Sequence, residues 1–286
     1  MKIQKSLLAL CCIVAMFIAG CGSSSRKTSP AVVNGVFADA PVVGLSYSCG
    51  STTAVTGAGG AFTCPKSSTV TFTVGGVTIC KAPAQAFMTP VSCAQANGDP
   101  SANASTPSVV ATAQFVISIG TPTGTVPGSL STLTITSAEL TAASGVSLDF
   151  SSPTIQQDLL TAVNTVNPGQ TLASPSTAET ELTGTVATNV AGSYSGSYSG
   201  GDSGTWKVTV DTSGNVSGTY TSTGGGGTGT ISGALVSGTT FSGSAGNASW
   251  TGNVDTSKPP TTGTGPYLFS GSWTNTTAGV SGSFTN

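Results

Sequence analysis

The sequence predicts a mainly β chain with a small helical middle, and three patterns carry that prediction. Residues 191–286 repeat an apolar-x-Gly-x-apolar unit on a background of serine and threonine. Residues 69–80 alternate apolar and polar side chains around a glycine pair. Between these regions, apolar side chains recur at helical spacing in 155–166 and 178–190. The expected order is a β-sandwich-like module over 31–99, a helical region over 100–190, and an eight-stranded antiparallel meander or small soluble β-barrel over 191–286. Glycine supplies 39 of 286 residues, roughly twice the usual ~7%, as turn-rich β structure requires.

The chain opens on an export signal. Leu7 to Ala19 is apolar, follows Lys2 and Lys5, and ends at small residues, the charged-apolar-small order of a secretory leader. At about 13 residues it falls short of the ~20 that span a bilayer as a helix. The run Ile18-Ala19-Gly20-Cys21 resembles the lipobox of bacterial lipoproteins. The resemblance implies removal of residues 1–20, acyl chains on Cys21 as the lipidation site, and a lipid-anchored location at the cell envelope. In that family an aspartate after the cysteine signals retention at the inner membrane; Gly22 stands there instead, which implies the outer membrane. The alternative is an ordinary signal peptide in which Cys21 is incidental. Residues 21–30 are small and polar, cannot bury apolar surface, and read as a flexible tether. One acyl chain binds a bilayer only marginally, so stable anchoring takes at least two.

Residues 31–99 read as strands and hairpins. Thr69-Val70-Thr71-Phe72-Thr73-Val74 alternates strictly, Gly75-Gly76 breaks it, and Val77-Thr78-Ile79-Cys80 resumes. The order around Gly35, Val36, Asp39, Pro41, Val42 and Gly44, followed by Gly60-Ala61-Phe62, resembles the small β-sandwich modules of bacterial surface proteins, including carboxypeptidase-regulatory-like domains. That resemblance covers about fifty residues and implies a structural or adhesive spacer. Four cysteines remain outside the leader and anchor: Cys49, Cys64, Cys80 and Cys93. An even number in an exported chain points to disulfides, and four cysteines allow three pairings. Cys49–Cys64 and Cys80–Cys93 are favoured, because the first two flank a hairpin.

In the middle region, Ile155, Leu159, Val163 and Val166 share one helical face, with Ser152-Pro153 as the start signal and Asn167-Pro168-Gly169 as the stop. A second helix follows Pro175, with Ser176 and Glu179 at capping-box spacing and Ala178, Leu182, Val186 and Val190 as its stripe. Ser108 to Ile119 is a third candidate helix, and Ala138 to Ala143 a short turn of one. These helices are expected to pack on one of the β modules.

The C-terminal repeat occurs as Tyr194-Gly196-Tyr198, Val216-Gly218-Tyr220, Ile231-Gly233-Leu235, Phe241-Gly243-Ala245, Trp250-Gly252-Val254, Phe269-Gly271-Trp273 and Val280-Gly282-Phe284. Trp206-Val208-Val210 alternates without the glycine and makes an eighth strand. An up-and-down barrel is the simplest closure, a kinked two-sheet sandwich the alternative. Glycine weakens a strand, so its recurrence at mid-strand implies a steric demand. Either the glycines let aromatics lean into a narrow waist, or they line a ligand cavity. Inward aromatics with outward hydroxyls are the reverse of a membrane-spanning barrel, whose outside is apolar.

Chemistry is chiefly excluded. The chain has no histidine, which removes serine–histidine triads, cysteine–histidine pairs and histidine metal sites. Asp39, Asp99, Asp149, Asp158, Asp202, Asp211 and Asp255 are scattered beside turn residues. Asn97-Gly98-Asp99 and Asp211 to Asn215 lack calcium-loop spacing and read as turns. No metal and no cofactor is expected. Removal of Lys2 and Lys5 with the leader takes the net charge from −2 to −4, which excludes a nucleic-acid footprint. Trp206, Trp250, Trp273, Tyr194 and Tyr198 read as core, while Tyr267, beside a Pro- and Gly-rich loop, is the candidate exposed binding aromatic. The leading functional expectation is a non-catalytic, membrane-anchored lipoprotein with a structural, adhesive or protein-binding role at the envelope. Its partners would be the membrane, through Cys21, and an unidentified protein or small molecule. The alternative is a carrier of a small apolar ligand, or a protein inhibitor, using the C-terminal barrel. A histidine-free hydrolase with paired carboxylates comes last.

Overall fold

The computed structural model describes residues 31–123 and 132–286. The leader 1–20, Cys21 and the tether 21–30 lie outside the described residues. The N-terminal strands are β1 (Val32–Phe37), β2 (Val42–Val43), β3 (Ser46–Cys49), β4 (Thr52–Val55), β5 (Ala61–Pro65), β6 (Thr69–Val74), β7 (Val77–Pro83) and β8 (Phe87–Met88). They are followed by α1 (Pro90–Ala96), α2 (Pro107–Ile119), β9 (Thr121–Thr123), β10 (Thr132–Thr134), α3 (Ser137–Ala142), α4 (Ile155–Val166) and α5 (Pro175–Val190). The C-terminal strands are β11 (Gly192–Gly200), β12 (Gly204–Val210), β13 (Asn215–Ser222), β14 (Thr228–Ser237), β15 (Thr240–Ala245), β16 (Ala248–Asp255), β17 (Leu268–Asn275) and β18 (Val280–Thr285). The chain is thus mainly β with helices in its middle, as the periodicities predict.

Three small sheets form the N-terminal half, in the orders β5-β1-β8, β4-β3-β6-β7 and β2-β10-β9. Gly35 and Phe62 are register partners across β1 and β5. A Cβ on Gly35 would fall 2.5 Å from the Phe62 ring, so glycine is what lets that ring lie across β1. Phe62 then meets Phe72 edge-on at 5.1 Å, and Phe37 lies 4.6 Å from Phe72. Cys49–Cys64 joins β3 to β5, and so ties two different sheets. Cys80–Cys93 ties β7 to α1. Both pairings are those the spacing favours. The Gly75-Gly76 turn falls where expected, and Gly75 adopts the left-handed region at φ +55° that glycine accepts.

The helices use the anticipated faces, but two of their starts differ. α4 begins at Ile155 with Thr154 at its N-cap; Ser152-Pro153 belongs to the preceding turn, where Ser152 Oγ accepts from the Thr154 amide at 3.2 Å. α5 is capped by Ser174, whose Oγ accepts from the Thr177 amide at 3.1 Å, and Pro175 takes the first helical position. The Ser176–Glu179 spacing therefore lies one turn-step inside the helix, because the proline sets where the helix can begin. α1 was not anticipated; Thr89 and Ser92 form a reciprocal capping box around Pro90. α2 is buried on nearly every side, which hides its amphipathic signal. α2 and α4 pack on the N-terminal sheets through Phe115, Ile119, Leu159 and Val163, while α5 sends Leu182, Val186 and Val190 into the core of the C-terminal module.

The C-terminal strands close into an antiparallel barrel in sequence order, with β11 paired to β18. That pairing decides between barrel and sandwich. A Cβ on Gly196, Gly218, Gly243, Gly271 or Gly282 would meet a neighbouring strand's carbonyl oxygen at 1.9–2.1 Å. Seven of the barrel's aromatics lie opposite a glycine in register: Tyr198↔Gly204, Trp206↔Gly196, Tyr220↔Gly229, Phe241↔Gly252, Trp250↔Gly243, Trp273↔Gly282 and Phe284↔Gly271. The glycines therefore serve close packing, as the steric reading holds. The outward positions of β12 and β13, including Thr205, Lys207, Thr219 and Thr221, are exposed and polar.

Candidate functional site

The two ends of the barrel differ. At one end, the turns after β12, β14 and β16 meet the helices. Leu182, Val186 and Val190 of α5, with Val91 of α1, join the apolar cluster that holds Val210, Phe241 and Val254. Asn286 is buried here; its Oδ1 accepts from the Phe269 amide at 2.7 Å, and its Nδ2 donates to the carbonyls of Thr264 and Tyr267 at 3.0 Å. Tyr267 also belongs to this end. It is half-buried, and its hydroxyl accepts from Asn189 Nδ2 of α5 at 3.2 Å.

The other end carries the turns after β11, β13, β15 and β17, and opens on a cup of about 220 Å³. Its floor is built from Trp206, Val208, Val216, Trp250 and Phe269, each at most 7% exposed. Phe269 is the hub of this floor, with the rings of Tyr194, Trp206, Phe241, Trp250 and Phe284 centred 5.5–6.1 Å away. Nearer the mouth, Tyr198, Tyr220 and Trp273 are half-buried. Among the described residues, no glycine lines the cup. The glycine layer and the cavity are therefore separate features, and the cavity is walled by aromatics that the glycines allow to pack.

Strand parity aims these side chains inward, and the opposing glycines seat them. A Cβ on Gly204 would lie 2.8 Å from the Tyr198 ring, one on Gly229 2.5 Å from the Tyr220 ring, and one on Gly282 2.7 Å from Trp273 Nε1. Tyr198 meets Tyr220 at 6.2 Å and 83°, and Trp273 at 6.0 Å and 90°, so its ring plane stands near-perpendicular to both neighbours. Trp206 Nε1 donates to the Ser197 carbonyl at 3.1 Å and Trp250 Nε1 to the Ser232 carbonyl at 3.2 Å. The buried Trp273 Nε1 has no such partner, so packing alone holds that ring.

Asp202 is the charged residue of the cup, in the turn between β11 and β12. Its carboxylate accepts from Ser222 Oγ at 2.8 Å, the Ser203 amide at 2.8 Å and the Tyr198 hydroxyl at 3.0 Å. The Ser222 hydrogen bond, then that of the Ser203 amide, hold its pKa below the usual carboxylate value. The Tyr198 hydroxyl moves the other way, raised by burial and by its bond to Asp202. Asn247 and Asn275 complete the polar lining.

Four of the other aspartates sit in turns as expected, whereas Asp158 falls in the first turn of α4, where the apolar stripe continues the helix through it, and Asp39 is fully buried. Asp99 accepts from Ser101, Asp149 from Ser151, Asp211 from Ser213 and Asn215, and Asp255 from Ser257. Each is an Asx-type turn that satisfies the carboxylate locally. Among the described residues, no group of three or more acidic or cysteine side chains is placed to hold a metal. Trp206, Trp250 and Tyr194 are core residues as expected, whereas Tyr198 and Trp273 face the cup. The one-dimensional pattern does not mark Tyr220 as a cup residue and makes Asp202 an ordinary turn residue. The usable signal was register: Tyr198 and Tyr220 each pair with a glycine beside a mouth turn, and Asp202 lies four residues from Tyr198 across that turn.

Compared with protein-family models, curated proteins and solved structures, the chain has no match.

Proposed function

We propose that this protein is an envelope lipoprotein, anchored through acyl chains on Cys21, whose barrel binds a small and mainly apolar molecule without converting it. The observation that carries the binding half is the cup: a dead-ended, aromatic-walled recess in a barrel whose opposite end is filled by α5. An engineered cavity of ~150 Å³ takes up benzene, whereas drug-sized ligands use ~300 Å³ or more. At about 220 Å³ the cup suits one ring, or an alkyl group of similar size. A glycosidase-type mechanism needs two carboxylates, and among the described residues Asp202 is the single one lining the cup. The anchoring half rests on the lipobox Ile18-Ala19-Gly20-Cys21.

Isothermal titration with toluene tests the binding. One site is expected, with a Kd on the order of 0.1–1 mM for so small a ligand. Ala245 lines the cup, and Ala245→Trp fills it and abolishes that site. Unchanged toluene binding by Ala245→Trp would place the site elsewhere and refute the reading. Fractionation of Cys21→Ser cells tests the anchor: release into the soluble fraction is expected, and unchanged membrane retention would count against lipidation.

A further inference from the structure

The cup is not uniformly apolar: among the described residues, Asp202 supplies its charge. Asp202 lies in the mouth turn, bonded to the hydroxyl of Tyr198, whose ring stands edge-on to Tyr220 and Trp273. Its hydrogen bonds come from Ser222, Ser203 and Tyr198, which fix the carboxylate without neutralising it. Among the described residues, the ion pair present is Lys258–Asp255, beyond the plugged end of the barrel. Asp202 thus carries a negative charge with no cation beside it, in a chain where charged residues are only 6% of the total.

Aromatic faces carry negative potential, so rings set at right angles offer a cation favourable contacts on more than one side. Tyr198, Tyr220 and Trp273 are the rings that line the mouth of the cup, and each is seated by a glycine on the neighbouring strand. A compact ammonium group with alkyl substituents has an apolar skin and a diffuse charge. It satisfies the aromatic walls and the carboxylate together, which neither a neutral hydrocarbon nor an anion can do. A bare, strongly hydrated ammonium or metal ion would lose its water in an apolar recess with one carboxylate to replace it.

We propose that the cup selects a small free organic cation, of the quaternary or methylated ammonium class, seated among Tyr198, Tyr220 and Trp273 with its charge facing Asp202. This deepens the binding reading above and rests on it.

The test uses two probes of the same shape that differ in charge, choline and 3,3-dimethylbutan-1-ol, titrated into the full-length protein and followed by tryptophan emission and calorimetry. Choline is expected to bind roughly five- to thirtyfold more tightly than the neutral alcohol, the range that cation–aromatic contacts supply in partly desolvated sites. Asp202→Asn is expected to weaken choline at least fivefold and to leave the alcohol within twofold. The two-probe comparison needs no variant, so a poorly folded Asp202→Asn protein does not spoil it. Equal affinities for the two probes, with toluene still bound, would overturn the cation selectivity and leave the apolar binding reading intact. Failure of toluene, choline and the alcohol alike would sink both.

Discussion

Gly243→Ala is the sharpest test of why glycine recurs at mid-strand. A Cβ on Gly243 would lie 1.9 Å from the Ser232 carbonyl oxygen and 2.5 Å from Gly233 Cα, both backbone atoms of the adjacent strand. Real Cβ atoms essentially never approach another atom within 3.0 Å, so β14 and β15 must separate by more than 1 Å. A flexible side chain could swing away; a paired backbone cannot. Overpacking of this kind costs about 1–3 kcal/mol. The displaced Ser232 carbonyl is also an acceptor for Trp250 Nε1. Losing that bond and one ladder bond adds about 1 kcal/mol each. The total is about 3–5 kcal/mol, a large share of the ~5–15 kcal/mol that typical domains have. All three tryptophans, Trp206, Trp250 and Trp273, belong to the barrel, so urea unfolding followed by their emission reports on it directly. With a slope of about 2 kcal/mol per molar urea, the midpoint should fall by roughly 1.5–2.5 M. Gly145→Ala is the control: no atom lies within 4 Å of its Cβ position and its φ is ordinary, so its stability should change little. A Gly243→Ala midpoint equal to wild type would refute the steric account of the glycine layer.

Three further expectations follow from buried groups. Asp39 is fully buried with neither carboxylate oxygen bonded, and burial, helped by the charge of Glu181, raises its pKa well above the usual value. The folded state therefore holds this proton more tightly than the unfolded one. Its stabilising contribution is complete below the ordinary carboxylate range and is lost as pH rises through the folded pKa. Asp39→Asn should flatten that decline between pH 4 and pH 8 in urea midpoints; an unchanged slope would exclude Asp39 as its source. The Cys80–Cys93 bridge closes a separation of 13 residues, and the double serine variant should lose about 3 kcal/mol of unfolding free energy. An unaltered denaturation midpoint would show that the bridge adds no stability. Asn286→Ala removes the acceptor of the Phe269 amide and the donor to Thr264 and Tyr267, at a cost of about 2–3 kcal/mol. Faster hydrogen exchange at Phe269 is its signature, and unchanged protection would argue that another group takes over.

Local patterns determined the elements. Period-two alternation and the glycine units marked all eight barrel strands, because a half-buried strand must alternate whatever its partner. The stripes of α4 and α5 were legible for the same reason, and Leu159, Leu182 and Val190 are fully buried as those stripes require. Cysteine spacing pointed to both bridges. Long-range pairing decided the rest. Closure needs β11 to meet β18, whose register joins Tyr198 to Phe284 across most of the module, and no local window contains both. β10 finds its partner in β2, likewise far away in sequence, so these very short strands carry no readable period of their own. α2 lost its amphipathic signature to burial on nearly all sides. The cup is a purely tertiary product. Tyr198, Tyr220 and Trp273 look like any inward aromatics in one dimension, and Asp202 like any turn aspartate. Only closure at one end of the barrel, with α5 filling the other, brings three rings and one carboxylate around a single recess.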